Sequence, residues 1–495
     1  MQARRPQSPR SMPRMFTRMT SRSDSRRRFA LRTCAAAVVA ALGLAGAASA
    51  HAEDLMDAYR QALQSDPVLM QAEAGSRIGH EGMVQSRALL LPQINGSVSY
   101  NDSHGTSTGT TFVDTTTGPA VVSSYGDNEG RSRTAAVGLN QVLFDLGKFS
   151  QLRASKASAD AAAAQYVAAE QNLILRVATA YFTVLTDEDQ LRYAEANQTA
   201  LSKQLEAAQA KYAVGLSAVT DADNAKAQQA AAAASVIQAQ TTLYNDREAL
   251  AQITGTVPVA LKALIDNLPL DHPQPDNVED WVKTALASNP MLQAQRDQLA
   301  ASQHDITTAR AGHLPTLNAS VQYSRSPSWG PGGRGDLSGL PSNVTNVLHA
   351  NSRTTDTTLG LVLSVPLFAG GGTQSRVRQA IAQRDQTSDI LEQDRRQIVA
   401  TTRNAFNSIE AGISQVEAQK DAVASAQKAL QSTQAGYEVG SQTILDVLFA
   451  QQTLFQAQSA YSQARHAYVI NRLDLKYAAG VLSVKDLETV NALLQ

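Results

Sequence analysis

Two periodicities alternate along this chain. In "INGSVSY", Ile94, Gly96, Val98 and Tyr100 alternate with Asn95, Ser97 and Ser99, and "TLNASVQY" repeats the pattern with Leu317, Ala319, Val321 and Tyr323. "AAVGLNQVLF" sets Ala135, Val137, Leu139 and Leu143 on one face, and "TTLGLVLSVPLF" does the same with Leu359, Leu361, Leu363, Val365 and Leu367. A period of two predicts strands, but a membrane barrel and a half-buried soluble sheet alternate alike. The segments between the strands favour the barrel. Residues 102–131 and 326–354 are rich in Gly, Ser, Thr and Asn and read as long polar loops, with Arg334-Gly335-Asp336 as loop composition and not an adhesion signal.

The second period is helical. From Ser150 to Tyr212 there is neither proline nor glycine, and such a helix would be roughly 95 Å long at 1.5 Å per residue. Near the C-terminus a heptad emerges: Val447, Leu454, Tyr461, Tyr468 and Leu475, with Ala450, Ala457, Ala464 and Ala478 three residues on. Val236, Leu243 and Leu250, flanked by Ala225, Ala232 and Ala239, form an equivalent row. A seven-residue repeat marks a coiled-coil seam, and alanine on it permits close approach. Paired coiled helices are expected.

The pattern occurs twice. "RALLLPQINGSVSY" is answered by "RAGHLPTLNASVQY", with Pro92 and Pro315 223 residues apart, and Gly215 and Gly440 are 225 apart. The expected layout is a first repeat over 53–267 and a second over 278–480, joined by a Pro-rich linker at 268–277. The first holds a helix, a β-hairpin at 94–145 and long helices at 148–212 and 218–254. The second holds a helix, a hairpin at 316–368 and long helices at 373–437 and 443–479. Residues 481–495 form a C-terminal segment.

Residues 1–52 differ in kind. A basic stretch (Arg26, Arg27, Arg28, Arg32) precedes an apolar Ala/Val/Leu run and Ala-x-Ala sites ending at Ala50 and Ala52, the form of a cleavable secretory signal peptide. The only cysteine, Cys34, lies inside it. Ten of the 43 basic residues and one of the 44 acidic ones lie there too, so residues 53–495 carry 33 against 43, a formal charge of −10. That balance argues against nucleic acid as a partner. No later apolar run is long enough for a transmembrane helix. The eight histidines show no metal spacing, and Gly-x-Ser-x-Gly and Walker A motifs are missing, so no enzyme, metal or cofactor is expected. Acidic residues scattered along the helices read as solvated faces.

Four strands cannot close a barrel, and lipid tolerates no open sheet edge, so several copies must share one. Two copies give eight strands around a filled interior; three give twelve, enough to enclose a lumen. The stretches "LPQINGSVSY", "ATAYFTVL", "AVGLSAVTDADNAKAQ", "LSVPLFAGG" and "AGYEVGSQTILDVLFAQQTLFQAQ" resemble the TolC family of outer-membrane channels, from about Glu53 to the C-terminus. The resemblance implies an α+β membrane protein: a homotrimer whose twelve-stranded outer-membrane β-barrel, four strands per protomer, continues into a long periplasmic α-helical coiled-coil barrel. It implies contact with outer-membrane lipid, and docking to a periplasmic adaptor and an inner-membrane RND, MFS or ABC transporter for drug efflux or type I secretion. The alternative is a periplasmic coiled-coil adaptor or scaffold without a channel.

Candidate chemistry concentrates in a phrase written twice, "AKYAVGLSAVTDAD" (210–223) and "AGYEVGSQTILDVL" (435–448). On local grounds Gly215 and Gly440 end helices in the left-handed conformation, and Thr443 with Asp446 forms a capping box. By resemblance, Asp446 points into the pore as a ring of three carboxylates. Asp221, Tyr437, Gln204 and Gln434 hold the entrance shut, and Val214, Gly215, Leu216, Val439, Gly440 and Ser441 form the adaptor-docking tip. Two positions depart from the family pattern. Gln442 stands where the family archetype has an arginine that pairs with the counterpart of Asp221, and Phe449 stands in place of a second pore aspartate. The expected constriction is therefore one carboxylate ring and one aromatic ring.

Overall fold

The computed structural model describes residues 52–115, 118–330, 334–335 and 351–495. The signal peptide expected at 1–52 lies outside the described residues, save for Ala52. The same order of elements occurs twice. Helices α1 (Leu55–Ser65) and α2 (Pro67–Ala88) lead into strands β1 (Gln93–Thr115) and β2 (Gly118–Phe144), then α3 (Leu146–Ala213) and α4 (Val219–Thr254). Helices α5 (Val278–Ser288) and α6 (Pro290–Ala311) lead into β3 (Thr316–Trp329), the two-residue β4 (Arg334–Gly335) and β5 (Ser352–Ser364). The long helices α7 (Gly372–Glu438) and α8 (Ile444–Ala478) follow, and α9 (Val484–Asn491) closes the chain.

The single helix expected before each hairpin is two. Asp66 and Asn289 accept N–H bonds from Leu69 and from Met291 and Leu292, and Pro67 and Pro290 occupy the first helical position. A proline disfavours helical geometry in the residue before it, so each helix must restart there.

The strands form one antiparallel sheet in the order β1-β2-β3-β5, with β4 paired to β2. The polar loop expected at 102–131 is instead strand over its described residues, 102–115 and 118–131. Pairing continues from Gln93↔Asn140 to Thr115↔Gly118, because an antiparallel ribbon satisfies its own backbone, and β-branched Thr and Val suit it. Arg334 and Gly335 are likewise strand, and the remainder of the second loop falls mainly outside the described residues. Register brings the alternating apolar residues into one band: Ile94 faces Leu139, Leu139 faces Val321, and Val321 faces Leu359. Val98 and Leu359 are each 79% exposed, so the described residues leave much of this band open to the surroundings.

The helices bury their heptad rows. Ala154, Ala161 and Ala168, then Ala194, Leu201 and Ala208, recur every seven residues on α3 and are all buried. Opposite them lie Ala225, Ala232, Val236, Leu243 and Leu250 of α4. Alanine lets the axes approach but removes little apolar area, so the seam is close and thin. The main core gathers around the middle of α3 and α7 and the ends of α4 and α8. Tyr181, Phe182, Leu173, Leu250, Ile409, Tyr468, Leu473 and Leu475 are fully buried there with Leu55 of α1 and Leu487 of α9. The 268–277 segment is fastened to it: the Tyr468 hydroxyl donates to the Asp271 carbonyl at 2.9 Å and accepts from its N–H at 2.8 Å.

Candidate functional site at the hairpin tips

Helices α3 and α7 each end in the same local device. Val214 and Val439 are the last half-helical residues, and Gly215 and Gly440 follow with φ of +78° and +77°. The Leu216 N–H reaches back to the Lys211 carbonyl at 2.8 Å and the Gly215 N–H to Tyr212 at 2.9 Å; Ser441 and Gly440 repeat this on Gly436 and Tyr437. This double bond closes orphan carbonyls, and its left-handed residue strongly favours glycine. At the outermost points Val214, Leu216 and Val439 are 69%, 77% and 81% exposed. The tip expected from Val214 to Leu216 and Val439 to Ser441 therefore presents apolar side chains to the surroundings.

The two turns then diverge. Thr443 and Asp446 form a complete capping box. The Asp446 N–H donates to Thr443 Oγ1 at 3.3 Å, while Asp446 Oδ2 accepts from the Thr443 N–H at 2.9 Å and its hydroxyl at 2.6 Å. These bonds, the hydroxyl's first, hold the Asp446 carboxyl below its ordinary value. The first turn has no such box. Ala218 precedes α4 without a side-chain cap, and the buried Ser217 hydroxyl finds no partner. Asp221 sits half-buried in the first turn of α4, where a carboxylate suits the helix dipole.

Tyr437 is one of the residues that join the hairpins, with Ile444 and Leu448. Its ring is half-buried and packs on two clusters: Leu201, Ala208, Ala225, Ile444 and Leu448 on one side, and Leu430, Val447 and Leu454 on the other. Lys211 Nζ of the first hairpin lies 4.0 Å from the ring centroid. A cation over an aromatic face contributes about 0.5–1 kcal/mol at an exposed site. Phe449, one turn into α8, is 52% exposed. Gln204 and Gln434 are half-buried and Gln442 is exposed. Among the described residues, no hydrogen bond within the protomer joins Asp221, Gln204, Gln434 or Gln442 to another of the expected gate residues.

Two participants are not visible as motifs. Lys211 and Gly436 are equivalent positions, 225 residues apart, and differ completely in size. A Cβ at Gly436 would stand 2.6 Å from Gln442 Cγ and 3.2 Å from Ser441 Oγ, so the second turn packs Gln442 against its own helix where the first turn carries a lysine. The signal available in the sequence was this difference between the copies, not their agreement.

A family model described as outer membrane efflux protein matches residues 58–256 and 281–481. The chain is 36% identical to the outer membrane protein TolC of Escherichia coli, across 92% of this chain and 88% of that protein. It is 28% identical to the proteases secretion protein PrtF of Dickeya chrysanthemi, across 94% of this chain and 96% of that one. Among solved structures, the CmeC outer membrane channel of Campylobacter jejuni superposes with a TM-score of 0.69 at 18% identity, covering 90% of each chain. With both halves matched and the fold shared, this chain belongs to the outer membrane efflux protein family, whose members are outer-membrane exit ducts of efflux and secretion systems.

Proposed function

We propose that the chain is one protomer of a homotrimeric duct, passive in itself, that receives cargo at the hairpin tips and releases it beyond the outer membrane. The observation that carries this reading is the sheet. Four antiparallel strands bear an uncovered apolar band in register and leave β1 and β5 as open edges, an arrangement that lipid accepts only if other copies close it. The matching order of elements in the two halves supports an internal duplication as the origin of the protomer. Docking falls to the apolar tips at Val214-Gly215-Leu216 and Val439-Gly440-Ser441, and the partner is a periplasmic adaptor bound to an inner-membrane RND, MFS or ABC transporter.

The gate is assigned to Asp446 and Phe449, as rings around the axis, with Asp221, Tyr437, Gln442, Gln204 and Gln434 forming contacts between neighbouring hairpins. The capping box fits this role. It fixes the carboxylate's position and favours its charged form, whereas three like charges gathered at the axis would disfavour it. A ring so balanced attracts multivalent cations, and Phe449 beside it narrows the path by dewetting. Single-channel conductance tests the assignment: multivalent cations should block the wild type, and Asp446→Ala should relieve that block. Unchanged block in the variant refutes the ring. Extraction as a detergent-independent monomer would instead support an adaptor or scaffold.

A further inference from the structure

Helix α8 ends where α6 begins. The Asn289 side chain donates from Nδ2 to the Ala478 carbonyl at 3.1 Å, and Gly480, at φ +72°, passes so close that an added Cβ would stand 2.4 Å from Asn289 Cα. Beside this junction, between α3 and α7, lies a cavity of about 410 Å³. Its apolar side comes from Pro290, Met291, Ile398 and the Tyr477 ring, and its charged groups are Asp394 and Asp474.

Its polar groups are out of balance. Gln171, on the α3 wall, commits its Nε2 to the Gly480 carbonyl at 3.0 Å, and its Oε1 is buried without a donor. Among the described residues, no lysine, arginine or histidine lines the cavity. Cations on the surrounding helices are engaged elsewhere: Lys476 with Asp486, Arg472 with Asp271, Arg403 with Glu279, and Arg395 and Arg396 with Glu392. Burial holds the Asp474 carboxyl above its ordinary value, with no opposing partner. An ionised carboxylate in such a place is costly until a cation meets it. The site has acceptors, negative charge and an apolar wall; its lining has no cationic side chain to meet that charge.

We propose that this cavity binds a small organic cation, an ammonium group carrying an apolar body. The charge is met by Asp474, with Asp394 beside it, and the body lies against Met291, Ile398 and Tyr477. The volume fits a compact ligand. This site is separate from the hairpin tips and from the Asp446 ring, and it rests on the cavity alone.

The test uses the full-length protein in lipid nanodiscs, titrated with 4-phenylbutylammonium by calorimetry, with the neutral 4-phenylbutanol as control. The ammonium compound should bind and the alcohol should bind at least about tenfold more weakly. Asp474→Asn should lower ammonium affinity by at least about tenfold, Asp394→Asn should lower it less, and Asp446→Asn should leave it unchanged. Lowering the pH should weaken binding as Asp474 takes up a proton. Failure of the ammonium to bind, equal affinity for the alcohol, or loss of binding in Asp446→Asn would each overturn the proposal. Should Asp474→Asn fail to assemble, undiminished affinity in Asp394→Asn would overturn it too.

Discussion

Asp187 is 6% exposed on α3, with Oδ2 buried and lacking a donor, and Asp246 of α4 faces it. Burial first, then the neighbouring carboxyl, pushes Asp187 up to about 7. On α8 the opposite case stands close by in the same core. His466 is 3% exposed, and burial pushes its imidazole down to about 4, against Asp189, which raises it, and with Arg465, which lowers it. The Thr186 hydroxyl donates to the Phe182 carbonyl at 2.7 Å, so in its 2.9 Å contact His466 Nδ1 is the donor, which fixes the neutral tautomer. The other charges around the pair are already matched, Arg247 with Glu188 and Arg192 with Asp189. The signs oppose each other. The folded state holds a proton on Asp187 that the unfolded chain releases above the ordinary value of 3.8, so this group's contribution falls as pH rises from about 4 to about 7. The folded state refuses a proton that unfolded His466 takes up below 6.5, so its contribution rises as pH rises from about 4 to 6.5. The contributions of these two groups therefore oppose each other between about pH 4 and 6.5. Asp187→Asn removes only the falling part. The variant should gain on the wild type progressively above pH 4, with a slope of at most about 1.4 kcal/mol per pH unit. Thermal unfolding of the purified protein between pH 4 and 8 measures this, and parallel profiles would refute it. In the sequence Asp187 read as one of many solvated acids; its spacing from Leu173, Val177 and Val184 already placed it on a buried face, and residue type concealed that.

At the scale of elements, the second hairpin turn depends on a missing side chain. Gly436→Ala places a methyl group against Gln442 Cγ, and overpacking of this kind costs about 1–3 kcal/mol. Gln442 Cβ is 3.4 Å from the same point, an ordinary contact, so Gly436→Ala with Gln442→Ala should restore the turn. Hydrogen exchange of the amides at 436–443 should speed up in the single variant and recover in the double. No recovery would place the strain elsewhere. The turn also explains what was legible beforehand. Helix stops were readable because glycine and the Thr443–Asp446 box are local chemistry, and long helices were readable because their interiors lack proline. The ribbon at 102–131 was hidden, because polar Thr, Ser and Gly residues carry no hydrophobic alternation even when their backbones pair throughout. Lys211 over Tyr437 was hidden for another reason: it joins two hairpins, and no spacing within one of them reveals it.

At the scale of the molecule, the question is how the two open edges are closed. In the order β1-β2-β3-β5 every neighbour is antiparallel, so β5 of one copy meets β1 of the next in the antiparallel sense whatever the number of copies. The number must come from curvature. Eight strands leave room only for side chains, whereas twelve leave a lumen that an exit duct needs. The polar row opposite the apolar band limits the registers available: Ser97 pairs with Ala136, Ala136 with Ser324, and Ser324 with Asp356. Joining β1 to β5 must keep Ile94 and Val98 on the same side as Leu359 and Leu361, because a slip of one residue would turn a lipid-facing row into the lumen. Cys34 is the chain's only cysteine, so residues 53–495 are free of thiols and paired substitutions there report cleanly. Cysteines introduced at positions 95, 97, 99 and 101 of β1, each combined with one at 354, 356, 358 or 360 of β5, should crosslink between copies in one antiparallel register. On oxidation in the outer membrane that set should give a ladder ending at the covalent trimer, with the trimer band persisting after boiling and vanishing on reduction. Closure at the dimer would imply a filled eight-stranded barrel and leave no path for cargo. A ladder extending past three would show that the edges pair without closing, and the trimeric duct would fall with it.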